Sequence, residues 1–151
     1  MPPVQRDDPY PAHNFQVIVN GISDDGSAVS GAFSEVSGLD VEVKMIEYRN
    51  GNEGLTVRKL PGLTTFPTLV CKHGSTGDVG FWNWIKSAID GDVVRAEGAI
   101  VLCDENQAPV MRWEFARGWP CKYSGPSFNA ANNEIAMESI EICVERLTLD
   151  A

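Results

Sequence analysis

Residues 39–49 read Leu-Asp-Val-Glu-Val-Lys-Met-Ile-Glu-Tyr-Arg and alternate apolar and polar side chains over most of their length. Successive side chains of a β-strand point to opposite faces, so the alternation predicts a strand with one apolar face. The alternation changes phase where Met45 and Ile46 stand side by side. Because one additional residue in a strand produces such a change, we expect a β-bulge at Met45-Ile46.

The residues that follow predict the return half of a hairpin. Residues 50–54 combine Asn and Gly and are typical of a loop, and residues 56–60 predict a second short strand. We expect Pro61 and Gly62 to end that strand, because proline lacks the N–H group that a strand ladder needs. Residues 39–60 are therefore interpreted as an antiparallel hairpin.

A single amphipathic helix lies between the predicted strands. Asp78 can cap its first turn and Gly91 suits a left-handed C-cap, so the helix is expected at about residues 79–90. Further strands are predicted at residues 15–22, 29–36, 65–73, 94–103, 109–116, 118–123 and 135–149. Strands on both sides of one helix predict a mainly β fold, an antiparallel β-barrel or sandwich with one flanking α-helix.

Length and charge limit the function classes. The 151 residues suit one domain, expected to span residues 1–151, with a Pro-rich arm at residues 1–13 that is either mobile or held by a partner. The N-terminus lacks the apolar core of a secretory signal, and no apolar run approaches the ~20 residues of a membrane helix, so we expect cytoplasmic synthesis. A formal net charge of −9 argues against binding to nucleic-acid phosphates and against membrane binding by the chain itself.

No recognisable catalytic or metal-binding motif is present. The glycine-containing turn at residues 74–77 lacks the Lys of a phosphate-binding loop, and Asp78 after it would repel a phosphate. His73 and Cys71 supply half of a metal site at best. We therefore predict no catalytic residue, no cofactor and no metal, and a protein that is not an enzyme.

The cysteines and tryptophans fit a core better than a binding site. Cys71, Cys103 and Cys143 lie in apolar runs and are interpreted as reduced core thiols. Trp84 and Trp113 are likewise expected in the core, since large aromatic side chains dominate core burial. Exposed tryptophan could instead stack on sugars, which leaves a monomeric carbohydrate-binding β-sandwich module as an alternative.

Several motifs, spread over nearly the whole chain, resemble one protein family. They are Phe-Ser-Glu-Val-Ser-Gly-Leu at 33–39, Glu-Tyr-Arg-Asn-Gly at 47–51, Arg-Lys-Leu-Pro-Gly-Leu at 58–63, Thr-Gly-Asp at 76–78, Trp-x-Trp at 82–84 and Trp-Pro-x-Lys-Tyr-Ser-Gly-Pro at 119–126. In this order, they resemble the tail tube proteins of contractile phages, whose relatives form the inner tube of phage-tail-like contractile injection systems and pyocin-like particles.

The resemblance implies an antiparallel β-barrel whose copies form hexameric rings, and rings that stack into a hollow tube. The partners that it implies are further copies of the chain, a sheath protein, baseplate or tube-initiator proteins, and luminal cargo, either DNA or protein effectors. It also implies assembly in the cytoplasm and then a place in a phage tail or a phage-tail-like particle that is released from the cell. A tube-initiator or baseplate paralogue of the same fold is the alternative within the family.

The resemblance further implies that the hairpin of residues 39–60 reaches a neighbouring subunit. The residues expected at this self-assembly interface are Glu35, Asp40, Glu47, Tyr48, Arg49, Arg58, Lys59, Leu60, Lys122 and Tyr123. Six copies at −9 each would give a ring of about −54, which repels itself. The cationic members of the set are therefore expected to neutralise its acidic members across subunits.

Reversing two cations together, Arg58→Glu with Lys59→Glu, should weaken self-assembly. The double change shifts the net charge of each subunit by about −4 at the expected interface. The measurement is the fraction of protein sedimenting as assembled particles, with wild-type protein at equal concentration as the reference. A double variant that assembles as well as wild type would refute the charge argument.

Overall fold

The computed structural model describes residues 6–20, 29–31, 33–49, 51, 54–74, 80–131 and 135–150. The expected Asp78 cap and the expected strand end at residues 21–22 lie outside them. The elements are β1 Phe15–Val19, β2 Val29–Gly31, β3 Glu35–Ser37, β4 Glu42–Tyr48, β5 Arg58–Thr65, β6 Leu69–Gly74, α1 Gly80–Ile89, β7 Ala96–Cys103, β8 Pro109–Ser124, β9 Met137–Cys143 and β10 Arg146–Asp150. The predicted mainly β fold with one flanking helix is confirmed.

Eight strands form one antiparallel sheet, in the order β2-β1-β7-β8-β9-β6-β3, with β10 pairing a second side of β8. The remaining two strands, β4 and β5, pair only with each other among the described residues. The long strand β8 links the two halves of the sheet. Its first half pairs with β7 and β10, and its second half pairs with β9.

A bend in β8 makes this double pairing possible. Between the pairs Gly98↔Phe115 and Ala96↔Gly118, β8 contains one more residue than β7. Arg117 adopts a positive φ of 53° there, which is uncommon for a residue other than glycine. Such a bulge bends a strand and increases its twist, so β8 leaves one half of the sheet and enters the other.

The buried Phe115 ring occupies the space beside this bend. A Cβ atom added at Gly98 would lie 2.6 Å from Phe115 Cζ and would also collide with the Ile18 carbonyl oxygen. A Cβ atom added at Gly118 would lie 2.7 Å from Phe115 Cε2. The two glycines therefore make room for one aromatic ring at the centre of the sheet.

The main core lies between the sheet and α1. Its buried members are Val17, Val19, Leu69, Cys71, Phe81, Trp84, Ala96, Ile100, Phe115, Ile140 and Ile142. Trp84 also donates a hydrogen bond from Nε1 to the Val94 carbonyl oxygen at 2.6 Å, which satisfies its only polar atom. The helix ends as predicted, with Gly91 at a φ of 84°. A smaller buried group, Ala99, Val101 and Cys103, packs against Ile18 on the other face of β7.

Several predicted strand boundaries are wrong for local reasons. The predicted strand at residues 29–36 divides into β2 and β3, which pair with different strands. The predicted strands at residues 109–116 and 118–123 are one strand, because the bulge at Arg117 lets pairing continue through the change of direction. The predicted strand at residues 135–149 divides into β9 and β10, which pair with opposite halves of β8.

The hairpin differs from its prediction at two points. Pairs from Met45↔Pro61 to Tyr48↔Arg58 are in continuous register, so no bulge lies at Met45-Ile46. The register shift lies between Val43 and Met45, and the additional residue belongs to β5. Pro61 does not end β5, which continues to Thr65. In a two-stranded sheet both strands are edges, and a proline is tolerated where its nitrogen needs no partner.

The packing around Phe115 yields a stability prediction. Gly98→Ala should lower the free energy of unfolding by roughly 1–3 kcal/mol or more, because the added methyl group meets backbone and a buried ring. Urea denaturation measures the change. Gly54→Ala is the matched control, since nothing lies within 4 Å of a Cβ atom added there. Equal stability of the two variants would contradict the packing argument.

Candidate self-assembly surface

The hairpin formed by β4 and β5, residues 42–65, is called the arm. Gly38 leads into it at a φ of 92°, and its α-carbon lies so close to the Thr68 carbonyl oxygen that a Cβ atom would not fit. None of the described residues of the arm belongs to either buried cluster. The arm is therefore held by its own ladder and by its connection to the sheet.

Large apolar side chains are exposed along the arm. Val43 and Met45 are each 54% exposed, Ile46 is 52% exposed and Leu63 is 79% exposed. An isolated two-stranded hairpin is marginally stable in water, and contiguous exposed apolar surface usually marks an interaction site. The arm thus has the character of an interface that is not covered within one chain.

Both faces of the arm carry exposed apolar side chains, next to charged ones. Because side chains alternate along a strand, Val43 and Met45 point to one face, and Ile46 and Tyr48 point to the other. Leu60 lies directly across from Ile46. The phase change in the sequence is thus a change of face and not a bulge. Two partner surfaces, one on each side, would be needed to cover it.

Six of the ten predicted interface residues lie together at the outer end of the arm. Glu47 lies across from Lys59, and Tyr48 lies across from Arg58. Opposite charges directly across a ladder favour pairing, so Glu47 and Lys59 support the hairpin itself. Arg49 donates a hydrogen bond from Nη2 to the Gly54 carbonyl oxygen at 3.2 Å, which links the start of the β4–β5 loop to its middle.

The other predicted interface residues lie elsewhere. Glu35 in β3 and Asp40 lie near the base of the arm, and the Glu35 carboxylate is 3.7 Å from Lys72 Nζ. Lys122 Nζ lies 4.0 Å from a Glu141 carboxylate oxygen in the neighbouring strand. Sequence reasoning chose mainly charged residues and missed the exposed apolar Val43, Met45, Ile46 and Leu63, although the phase change in β4 indicated apolar side chains on both faces.

Tyr123, also in the predicted set, is engaged inside its own chain. Its hydroxyl donates to Glu138 Oε2 at 2.5 Å, and Glu138 Oε1 lies 2.7 Å from His73 Nε2. The Tyr123 ring meets Trp82 edge to face, with centroids 5.5 Å apart. Phe81 packs its ring against His73, at 5.6 Å. This polar network therefore fixes α1 against β6, β8 and β9.

The hydrogen bond to Glu138, together with burial and the negative charge of Glu138, raises the pKa of Tyr123 to about 12. Sequence reasoning assigned no partner to Tyr123, because the pairing of β6 with β9 and of β9 with β8 brings His73, Glu138 and Tyr123 together. None of these pairings is visible in local sequence.

An apolar groove of about 450 Å³ opens beside the base of the arm. It is lined by Tyr10, Ala12, Phe15, Ser34, Glu35, Val36, Leu39, Ile100, Leu102 and Trp113. These residues come from the N-terminal segment, from β1 and β3 and from the middle of β7 and β8. Because they are distant in sequence, no motif could have revealed the groove. Glu35 is the acidic residue in the lining of the groove.

The N-terminal segment is attached to its own chain. The Arg6 guanidinium donates two hydrogen bonds to the Glu105 carboxylate, at 2.9 and 2.8 Å, and lies 4.0 Å from the centre of the Tyr10 ring. Arg6 thereby lowers the pKa of Glu105 to about 2. Residues 6–14 thus contact the β7–β8 turn of their own chain, while the expectation that residues 1–13 are mobile or held by a partner stays a prediction.

Among the described residues, no cluster of three or more His, Cys, Asp or Glu side chains could hold a metal ion. In the same part of the chain, no helix has the length and apolar character that a membrane crossing requires.

Comparison with protein families gives one match. The model of the family described as T4-like virus tail tube protein gp19 matches residues 11–148. The comparison with curated proteins gave no match. The family match covers both strands of the arm and all of the large sheet except the last two residues of β10.

Solved structures of similar fold agree with it. The sheath-tube complex of an extracellular contractile injection system, PVC, contains a chain with 28% identity and a TM-score of 0.83, covering 96% of this chain and 93% of that one. A chain of the anti-feeding prophage tube-terminating cap has 27% identity and a TM-score of 0.82, covering 98% and 95%. A chain of the anti-feeding prophage baseplate shares the fold, with 18% identity, a TM-score of 0.86 and coverage of 97% and 98%.

The Tyr123 network predicts a pH dependence. A raised pKa means that protonated Tyr123 stabilises the folded state below its ordinary pKa of 10, and that this contribution is lost as the pH rises towards 12. Tyr123→Phe should therefore be less stable than wild type at neutral pH, and the difference should shrink between pH 10 and 12. Urea midpoints of both proteins measure it. A difference that stays constant to pH 12 would contradict the prediction.

Proposed function

The chain belongs to the T4-like virus tail tube protein family, and we propose that six copies of it close into a ring and that stacked rings form the hollow inner tube of a contractile injection system. It is a tail tube protein, a structural subunit. Residues 1–151 act as one tube domain in this proposal. The observation that supports ring formation most strongly is the arm, whose apolar side chains are exposed on both faces in the part of the chain that the structure describes.

Open strand edges provide the second argument. The large sheet ends at β2 on one side and at β3 on the other, and the arm adds a two-stranded ladder with edges of its own. Unpaired edges offer backbone N–H and C=O groups to other chains. A head-to-tail contact around a closed ring can pair one such edge with another at every subunit boundary, whereas a symmetric dimer would cover one edge only.

The apolar groove is our proposed receiving surface for the arm of another copy. Its lining is mainly apolar, as are the exposed side chains of the arm. Charge also matches: Lys44, Arg49, Arg58 and Lys59 place four of the 12 Lys and Arg residues on the arm of an acidic chain, and Glu35 lies in the groove. Buried apolar contact would supply the affinity, and the charges would set orientation and partner choice.

The partners beyond the tube follow from related assemblies. One similar chain comes from a sheath-tube complex, and another comes from a tube-terminating cap. By this likeness, the proposed partners are a sheath protein around the tube, baseplate or initiator proteins at one end, and DNA or protein effector cargo in the lumen. We propose assembly in the cytoplasm, followed by a place in a phage-tail-like particle, with no catalytic step by the subunit.

The carbohydrate-binding alternative receives no support. Trp84, expected in the core, is buried there, whereas Trp113, also expected in the core, is half-buried in the wall of the groove. Trp82 is exposed, and its ring meets Tyr123 edge to face. The family match favours a tube and not a sugar-binding module.

Ring formation can be tested at one position of the arm. Ile46→Glu places a charge on an exposed apolar face, so the monomer should fold normally while assembly falls at least tenfold, because burying an unpaired carboxylate is costly. Ile46→Leu, which keeps the face apolar, is the matched control and should assemble like wild type. Negative-stain electron microscopy and sedimentation at high protein concentration provide the readout, with six-fold rings or tubes expected.

Two results would overturn the proposal. Equal assembly of the Glu and Leu variants would show that the arm is not an interface. Wild-type protein that stays monomeric at high concentration, and that also fails to extend tubes when a baseplate is supplied, would show that the chain is not the major tube subunit. Incorporation only as the first ring on a baseplate would identify the initiator paralogue instead.

A further inference from the structure

Two cysteines lie next to each other on neighbouring strands, away from the arm and the groove. Trp119 pairs with Cys143, Pro120 pairs with Ile142, and Lys122 pairs with Glu141. The register shift between Pro120 and Lys122 leaves Cys121 as the additional residue of a β-bulge. Cys121 is therefore without a ladder partner of its own and lies close to the end of β9.

The two thiols are on the same, outer side of the sheet. Ile142 is fully buried, so its strand neighbours Glu141 and Cys143 point away from the core. Cys121 is exposed, and its Sγ donates to the Glu141 carbonyl oxygen at 3.4 Å. Cys143 pairs with Trp119, two residues before Cys121, so the two cysteines are diagonal neighbours across the ladder. Cys143, expected in the core from the sequence, is instead half-buried on this outer face. The bulge thus places both cysteine side chains near each other on one side of the sheet.

We propose that Cys121 and Cys143 form a redox-modification site, at which a disulfide oxidant such as glutathione disulfide produces one intrachain disulfide. One cysteine attacks the oxidant as thiolate and releases one reduced glutathione. The second cysteine then attacks the mixed disulfide and releases another. The two protein thiols lose two electrons and two protons in total, and the oxidant takes up both.

The other cysteines do not offer this chemistry. Cys71 and Cys103 are each 1% exposed, and burial raises the pKa of Cys71 to about 12. They lie on β6 and β7, which are not adjacent in the sheet. A buried thiol in apolar surroundings is inert, whereas an exposed pair can meet an oxidant. Oxidation should therefore select one pair out of the four cysteines.

The reaction should be slow at neutral pH. Burial raises the pKa of Cys121 to about 11, helped by the hydrogen bond with Cys143 and by the negative charge of Glu141. Lys122, whose Nζ lies 4.0 Å from Glu141, is the cation facing the same group. Because the thiolate is the attacking species, the pair behaves as a structural staple and not as a catalyst. The proposal does not rest on ring formation, and either can fail alone.

The test uses the native, full-length chain. Prolonged exposure to glutathione disulfide should remove two hydrogen atoms from the intact mass and leave two of the four cysteines titratable after denaturation. Non-reducing digestion should yield one linked peptide pair containing Cys121 and Cys143. The oxidised protein should also melt at a higher temperature than the reduced protein, because the link constrains the unfolded chain.

Single variants distinguish the pair from non-specific oxidation. Cys121→Ser and Cys143→Ser should each lose the internal link and retain one glutathione on the remaining thiol. Cys103→Ala is the matched control and should still form the link. Four free thiols after oxidation, or a glutathione on each of Cys121 and Cys143 without an internal link, would overturn the proposal.

Discussion

The bend of β8 is the constraint on which the fold depends. One strand of 16 residues pairs with three others, and it can do so only because the bulge at Arg117 redirects it between its two halves. The Phe115 ring fills the space beside the bend, and Gly98 and Gly118 leave room for that ring. Once β8 is bent, β7 and β10 follow its first half and β9 follows its second half. The main core, against which α1 packs, is built on these strands.

The arm shows a different relation between sequence and stability. Its two strands pair along most of their length and a hydrogen bond braces its loop, yet its apolar side chains contact water on both faces. In the proposed ring, the sheet folds from one chain, whereas the arm gains stability when other copies cover it. Under this proposal, the exposed apolar side chains of the arm contribute to assembly more than to the stability of a monomer. The charge of −9 on each copy opposes this association and limits it to well-matched contacts.

Sequence reasoning predicted the helix and the fold class, because the helical spacing from Phe81 to Ile89 and the alternation in β4 are local patterns. It also placed the hairpin. It could not place the Tyr123–Glu138–His73 network or the groove, since strand order and register decide both. The prediction of a bulge at Met45-Ile46 was wrong. Two adjacent apolar residues are produced both by a bulge and by a strand with apolar side chains on both faces, so the sequence pattern is the same. Pro61 was misread as a strand end because sequence does not show which side of a strand is unpaired.

The exposure of apolar side chains on both faces of the arm also has a consequence for protein quality control in the cell. A newly made chain exposes apolar side chains and strand edges on the arm. Such surfaces can cause disordered aggregation when two chains associate in the wrong orientation. Productive growth and precipitation thus compete for the same side chains. The supply of subunits must stay matched to the number of growing tube ends, so that each arm is covered soon after synthesis. Timing of expression, as much as affinity, then decides whether the product is a tube or a deposit.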